Sequence, residues 1–267
     1  MFPVLLRIGP LTVYSYGVML AGGFALATAW TVRQARRLGY SQNLVLDLAL
    51  WVLLAGVVGA RVVYVALEPS LFRSFADVFR TWQGGLSFHG GLIGALAAVF
   101  LFAKRRGIAP LAVADLLSPG TALGYAVARI GCFLNGCCYG VPTSLPWAVR
   151  FPSQLDAHQH SAPSHPTQLY ATAANLVIFG VLSAMLGRRP RTGTVFAAYL
   201  AMYSVYRFLI EFLRAGATAR YLFVTGSGIG LTYAQVASLV ILAAAGVLWR
   251  IQRIRCAREG KTHEDPT

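Results

Sequence analysis

Seven stretches of the chain run for about twenty residues with scarcely a charge: 11–32, 44–66, 88–103, 112–132, 168–186, 194–213 and 232–250. A helix rising 1.5 Å per residue needs roughly twenty apolar residues to cross a hydrocarbon core of about 30 Å. The third stretch is the shortest, yet "HGGLIGALAAVFLFA" is unbroken from Gly90 onward. The pattern predicts an all-α polytopic membrane protein with about seven transmembrane helices and a small extracytoplasmic head. On this reading residues 1–267 form a single integral membrane domain. Its head lies at 133–167, rich in Pro, Ser and His, and a cytoplasmic tail at 251–267. Gly90, Gly91, Gly94 and Ala98 supply the small-residue steps that let helices approach closely.

Composition agrees with the pattern. Of 267 residues 57% are hydrophobic and 12% charged, against about 25% charged in soluble domains. Mean hydropathy is +0.60. The net charge of +14 invites a nucleic-acid reading, but the placement of the cations speaks against it. Fourteen of the 23 Lys and Arg fall in four clusters: "RQARR" (33–37), "KRR" (104–106), "RRPR" (188–191) and the tail from Arg250 to Lys261. The clusters follow the first, third, fifth and seventh spans, and none is interleaved with aromatics as a base-stacking surface would be. They have the character of cytoplasmic anchors. The opposite loops carry six, so the N-terminus is expected outside and the C-terminus in the cytoplasm. No cleavable leader is expected, because the first apolar run is too long and its basic cluster follows it.

Three arginines remain within spans: Arg61, Arg129 and Arg207. A charge at mid-helix costs roughly 2.5–3.5 kcal/mol even on the mildest insertion scale. All three lie in the outer halves of spans running from cytoplasm to exterior, which points to one shared anion. Snorkelling to headgroups is the plainer alternative. In "YSVYRFLIEFLR", Tyr203, Arg207 and Glu211 are four apart and share a helix stripe, so Glu211 can hold the Arg207 guanidinium in a fixed pose. Asp47 and Asp115 sit near cytoplasmic helix starts, where capping explains them. His89 opens the third span beside a double glycine and can exchange a proton near neutral pH. In "RIGCFLNGCC" (129–138), Cys132, Cys137 and Cys138 are spaced five and one, neither a zinc-knuckle spacing nor one helix face. His158, His160 and His165 offer nearby imidazoles. Small buried packing residues are the expected role for the cysteines, with no metal and no cofactor. Arg129 and Asn135 are the informative members, and Gly131, Gly136 and Gly140 allow the backbone to leave the helix close to a ligand.

"ARIGCFLNGCCYG", "HGGLIG", "HPTQLY" and "YRFLIEFLR", with "YSYG" (14–17) and "GARVVYV" (59–65), resemble the bacterial prolipoprotein diacylglyceryl transferase family over about residues 10–215. The resemblance implies a bacterial inner-membrane enzyme of seven helices. It would move a diacylglyceryl group from phosphatidylglycerol to the lipobox cysteine thiol of a prolipoprotein signal peptide, releasing glycerol phosphate. Its partners would be those two substrates and membrane lipids. The family's signature arginine falls on Arg129, its asparagine and glycine on Asn135 and Gly140, and its histidine on His89. Its later tyrosine and arginine fall on Tyr203 and Arg207, and its early tyrosine on Tyr16. The chain departs from the pattern in two places. Some members carry Asn and Glu where this chain has Cys132 and Cys137, and a glutamate usual after "HPTQLY" is Ala171 here.

The residues suit that chemistry. A thiol of pKa about 8.5 must ionise to attack, and the departing phosphate gains charge that arginines neutralise. His89 is the first choice of proton acceptor and Tyr203 its rival. Arg129 and Arg207 are assigned to the phosphate, Glu211 to orienting Arg207, and Tyr16, Arg61, Asn135 and Gly140 to substrate binding. A transporter or channel for an anionic solute is the competing class, although its charges should be reachable from both sides. Reporter fusions after Arg37, Arg106, Arg191 and the C-terminus are expected to report cytoplasm, and those at Ser70 and His160 the exterior. A cytoplasmic signal at His160 would overturn the placement of the site.

Overall fold

The structure is a computed structural model describing all residues except 10, 73, 82–83, 153–159, 215–220, 225–229 and 263–267. A hairpin of β1 (Val4–Ile8) and β2 (Leu11–Tyr14) precedes α1 (Ser15–Arg37) and α2 (Gln42–Leu67). Two 3-10 turns (Pro69–Leu71 and Phe75–Phe79) lead to α3 (Phe88–Arg105), α4 (Pro110–Asn135), α5 (Thr167–Gly187) and α6 (Thr194–Glu211). A second hairpin, β3 (Tyr221–Val224) with β4 (Gly230–Thr232), leads into α7 (Tyr233–Thr262). Both hairpins are antiparallel.

Seven long helices thus occupy the seven expected stretches, with one correction at the start. Residues 11–14 form a strand paired with Val4–Ile8 rather than the first turn of a helix. The run Leu11–Tyr14 includes β-branched Thr12 and Val13 and aromatic Tyr14, and the Gly9 turn before it folds it back on β1. The second hairpin was not anticipated either. Six of the helices are long and apolar enough to cross a membrane. The exception is α6, which carries Tyr199, Tyr203, Tyr206, Arg207 and Glu211 in 18 residues. Large apolar side chains such as Leu54, Val62, Val177 and Val240 face outward, as lipid-solvated helices require. Half of the apolar window of α4 is buried, against 17–28% in the others, so α4 is the most enclosed helix.

The chain divides into two compact units, Thr28–Leu116 and Met1–Ala27 with Leu117–Thr267. In the first, α2 and α3 pack backbone to backbone. A Cβ on Gly90 would stand 2.2 Å from the Gly59 carbonyl oxygen, and one on Gly94 2.1 Å from that of Ala55. The double glycine beside His89 therefore admits α2. The start of α2 is capped by Ser41, whose hydroxyl accepts from the Leu44 N–H at 3.2 Å. Asp47, expected to cap, instead pairs with Arg106 at 2.7 Å.

Arg61 organises the loop between α2 and α3. Its Nε–H donates to Val78 O at 2.8 Å, Nη1 to Gly84 O and Gly85 O at 2.8 and 2.9 Å, and Nη2 to Asp77 O and Arg80 O at 2.7 and 3.4 Å. The Phe72 and Tyr64 rings flank the guanidinium at 5.1 and 5.9 Å. All five donors are committed to backbone carbonyls, and the residue is 9% exposed. Arg61 was expected to bind substrate; in this structure every one of its N–H groups already has a backbone acceptor.

Hydrogen bonds from a charged donor contribute about 1.5–3 kcal/mol each, and lysine cannot reproduce a planar fork. Arg61→Lys should destabilise by more than about 3 kcal/mol, read as a lowered unfolding midpoint in detergent and faster proteolysis within residues 68–87. An unchanged midpoint with an intact loop would remove Arg61 from this role.

Candidate active site

The site lies within the second unit, where α4 and α6 end. Arg129 stands six residues before the end of α4, and its Nη2 hydrogen-bonds the hydroxyl of Tyr125, one turn earlier. The guanidinium carbon also lies 4.7 Å from the Tyr125 ring centroid. Nη1 reaches Cys132 Sγ at 4.0 Å. Tyr125 in turn meets Tyr203 edge-on at 5.8 Å, and Tyr203 touches Tyr199 and Tyr206 at 5.9 and 5.8 Å. Four tyrosines from two helices thus back the arginine with rings that pack as hydrocarbon and hydroxyls that hydrogen-bond. Sequence reasoning missed Tyr125, although its four-residue spacing from Arg129 was visible.

On α6 the stripe forms as expected. Arg207 Nη1 pairs with Glu211 Oε2, with the carboxylate side chain 1% exposed and the arginine 21%. The second oxygen, Glu211 Oε1, is buried with no hydrogen-bond partner among the described residues. An acceptor left so in an apolar setting is costly.

After Asn135 the helix stops, with Gly136 at φ +74° in the left-handed conformation common past a helix end. Cys138 also adopts a left-handed φ of +67°, which costs a non-glycine residue about 1–3 kcal/mol and needs surrounding contacts to hold it. The "HPTQLY" segment provides them. Thr167 Oγ1 donates to Cys138 O at 2.8 Å, and Gln168 Nε2 to Cys137 O at 2.7 Å. Gly140 N–H donates to His165 O at 2.9 Å, and Gly140 bridges to Arg214. The two most specific sequence motifs are therefore clasped to each other.

The head segment carries its own small core. Phe151 is fully buried, stacked on Tyr139 at 4.5 Å and edge-on to Phe133 at 6.0 Å. His165 Nδ1 lies 3.3 Å from the Tyr170 hydroxyl, to which Trp147 Nε1 donates at 2.7 Å. His160 bridges to Pro152, and His158 lies outside the described residues.

The double left-handed turn also brings the three cysteines together. Their spacing in sequence does not put them on one helix face, yet the Sγ atoms of Cys132, Cys137 and Cys138 lie within 4.8 Å of one another. Cys132 is buried and the other two are half-buried. The Cys138 thiol is held well below its ordinary pKa, first by hydrogen bonding with Cys132 and Cys137 and then by the charges of Arg214 and Arg129.

Tyr16, on the first turn of α1, packs over Gly131, where a Cβ would lie 3.4 Å from Tyr16 Cα. The structure therefore gathers Tyr16, Arg129, Asn135 and Gly140 around the end of α4, with Tyr203, Arg207 and Glu211 on α6. In the other unit, His89 stands exposed at the start of α3 with Phe88 edge-on at 5.8 Å. Alongside α5 and α6 runs an apolar groove of about 760 Å³, lined among others by Tyr170, Val177, Met202, Val205, Tyr206 and Leu209.

Together these features define a polytopic membrane protein with a cation-bearing site at the ends of its helices. The family model described as prolipoprotein diacylglyceryl transferase matches residues 3–251. Relatives named phosphatidylglycerol–prolipoprotein diacylglyceryl transferase include one from Bordetella parapertussis, 37% identical over 79% of this chain and 82% of its own length. Others are from Trichormus variabilis (33% identical, 95% of this chain, 91% of the relative) and Pseudomonas fluorescens (34%, 92% of each). The chain belongs to the prolipoprotein diacylglyceryl transferase family, which makes it a transferase of lipoprotein biosynthesis rather than a transporter.

Gly140 has no room for a side chain: a Cβ would stand 2.2 Å from Leu213 O and 2.7 Å from Thr167 Cγ2. Overpacking typically costs about 1–3 kcal/mol, and here the obstacle is backbone. Gly140→Ala should lower the unfolding midpoint and abolish most transfer activity. A variant with wild-type midpoint and rate would show that the clasp tolerates separation.

Proposed function

We propose that a diacylglyceryl group passes from phosphatidylglycerol to the lipobox cysteine thiol of a prolipoprotein signal peptide, forming a thioether and releasing glycerol phosphate. The thiolate attacks the glyceryl carbon, the carbon–oxygen bond breaks, and the electron pair leaves with the phosphate. One observation carries the assignment of Arg129. Arg61 commits every donor to backbone, whereas Arg129 has only Tyr125 and Cys132 as side-chain hydrogen-bond partners among the described residues. Its remaining N–H groups are available to two phosphate oxygens. Arg207, held by Glu211, is assigned to the same phosphate, and the tyrosine cluster excludes water so that both charges act in a low dielectric.

The apolar groove along α5 and α6 suits an acyl chain, and Tyr206 belongs both to its wall and to the surroundings of Arg129. Tyr16 and Asn135 are proposed to line the substrate pocket. Gly140 serves by keeping Cys138–Gly140 close to the "HPTQLY" segment. His89 remains the proposed proton acceptor on its sequence motif. The ring enclosure of Tyr203 favours a part in supporting Tyr125 and Arg129. The family supports a bacterial inner-membrane setting, and the loop charges support an extracytoplasmic N-terminus and site.

The test uses the purified protein, phosphatidylglycerol liposomes and a lipobox peptide, with thioether product followed by mass. Arg129→Lys keeps the charge but loses the planar fork, and should slow transfer about a hundredfold or more, roughly 3 kcal/mol of barrier. Arg129→Gln should be slower still. Replacement of exposed Arg150 should leave the rate unchanged. Near wild-type transfer by Arg129→Lys would reduce Arg129 to an anchor and end its assignment to the phosphate.

A further inference from the structure

The three thiols are more than the packing of small residues requires. A buried cysteine used as filler needs no strained backbone, yet Cys138 is held at φ +67° by two side chains that grip its own and its neighbour's carbonyls. The effect is to turn two consecutive thiols back toward the last turn of α4. Cys138 Sγ stands 3.6 Å from Cys137 Sγ, and all three sulfurs lie within 4.8 Å of one another. Tetrahedral zinc with bonds of about 2.3 Å to sulfur separates its thiolates by about 3.8 Å. The cluster thus approaches the dimensions of a three-thiolate face before any ion binds. Three thiolates around a divalent ion leave one negative charge, and the Arg129 guanidinium lies 4.0 Å from Cys132 Sγ to balance it.

We propose that Cys132, Cys137 and Cys138 form a zinc site whose fourth position is open to the thiol of the peptide substrate. Three protein ligands with an open position are the mark of a catalytic rather than a structural zinc. A thiol that coordinates zinc loses its proton, and the group proposed to be alkylated here is a thiol. The balance is simple. The peptide thiol binds and releases a proton to a base or water, and its sulfur then bonds to the glyceryl carbon. The carbon–oxygen bond breaks, and the phosphate leaves with the electron pair. Nothing is oxidised or reduced. The half-buried sulfurs of Cys137 and Cys138 leave the fourth position reachable. Family members with Asn and Glu at positions 132 and 137 lack these ligands, so the device belongs to chains carrying the triplet.

The proposal rests on the transfer reading above, and the experiment separates the two. Full-length protein is purified in detergent, reduced, stripped with a chelator and titrated with cobalt(II). One equivalent should bind with thiolate-to-cobalt charge-transfer absorption and the intense visible bands of a four-coordinate ion. Zinc should displace it. Adding a lipobox peptide should shift the visible bands, while the same peptide with serine for cysteine should not. Cys132→Ser, Cys137→Ser or Cys138→Ser should each weaken zinc binding by about a hundredfold. Chelation should slow transfer about tenfold or more at pH 7, where a free thiol is only a few per cent ionised. The deficit should close above pH 9, and zinc should restore the rate.

Failure to bind cobalt, a Cys137–Cys138 disulfide in the reduced protein, or binding with no response to the cysteine peptide would each overturn the proposal. If chelated protein still formed thioether at the full rate, the zinc proposal would fall and the transfer reading would stand. Absence of thioether product from untreated protein would count against the transfer reading itself.

Discussion

A guanidinium among apolar helices is costly unless its N–H groups find acceptors, and how far each does so sorts Arg61, Arg129 and Arg207. Arg61 meets it entirely with carbonyls of its own loop, and so the loop acquires a fixed path. Arg207 meets it with a buried carboxylate one turn away. Arg129 meets it only in part, with a phenol and a thiol. The first is fixed within its loop, the second is braced, and the third is the one proposed above to meet the phosphate. Charge placement alone could not have separated them, because the sequence pattern gives all three the same expected depth and direction.

The helices were legible because lipid imposes one rule over twenty consecutive residues, and no tertiary contact can mask so long a signal. The stripe of Tyr203, Arg207 and Glu211 was legible for a similar reason: helical periodicity fixes which residues are neighbours. The two hairpins were not, since strands of three to five residues give little periodicity and Leu11–Tyr14 is as apolar as the helix it precedes. Nor was the role of Arg61, because its partners are carbonyls, which carry no side-chain identity to read. The thiol cluster escaped for a conformational reason. Spacing rules assume ordinary backbone, and Cys138 with Gly136 turns the chain through left-handed angles that no residue-type pattern announces outside glycine.

Glycine serves opposite ends in the two units. Between α2 and α3, Gly59, Gly90 and Gly94 remove side chains so that carbonyl oxygens lie against the facing helix, giving a rigid pair on lipid-facing helices with few large buried groups. At Gly140 the missing side chain admits the Leu213 carbonyl and the wall of the "HPTQLY" segment. The first use makes a scaffold and the second joins segments far apart in sequence. Each is intolerant of a methyl group for a backbone reason.

That junction has a consequence for how the protein is made. The turn after α4 draws its fixed geometry from Thr167 and Gln168 and from a bridge to Arg214, all synthesised after it. While α4 and α5 are being made, the partners that fix the turn at 137–140 from α6 onward are still missing. The contacts that fix this turn are therefore complete only once the chain has been made through residue 214.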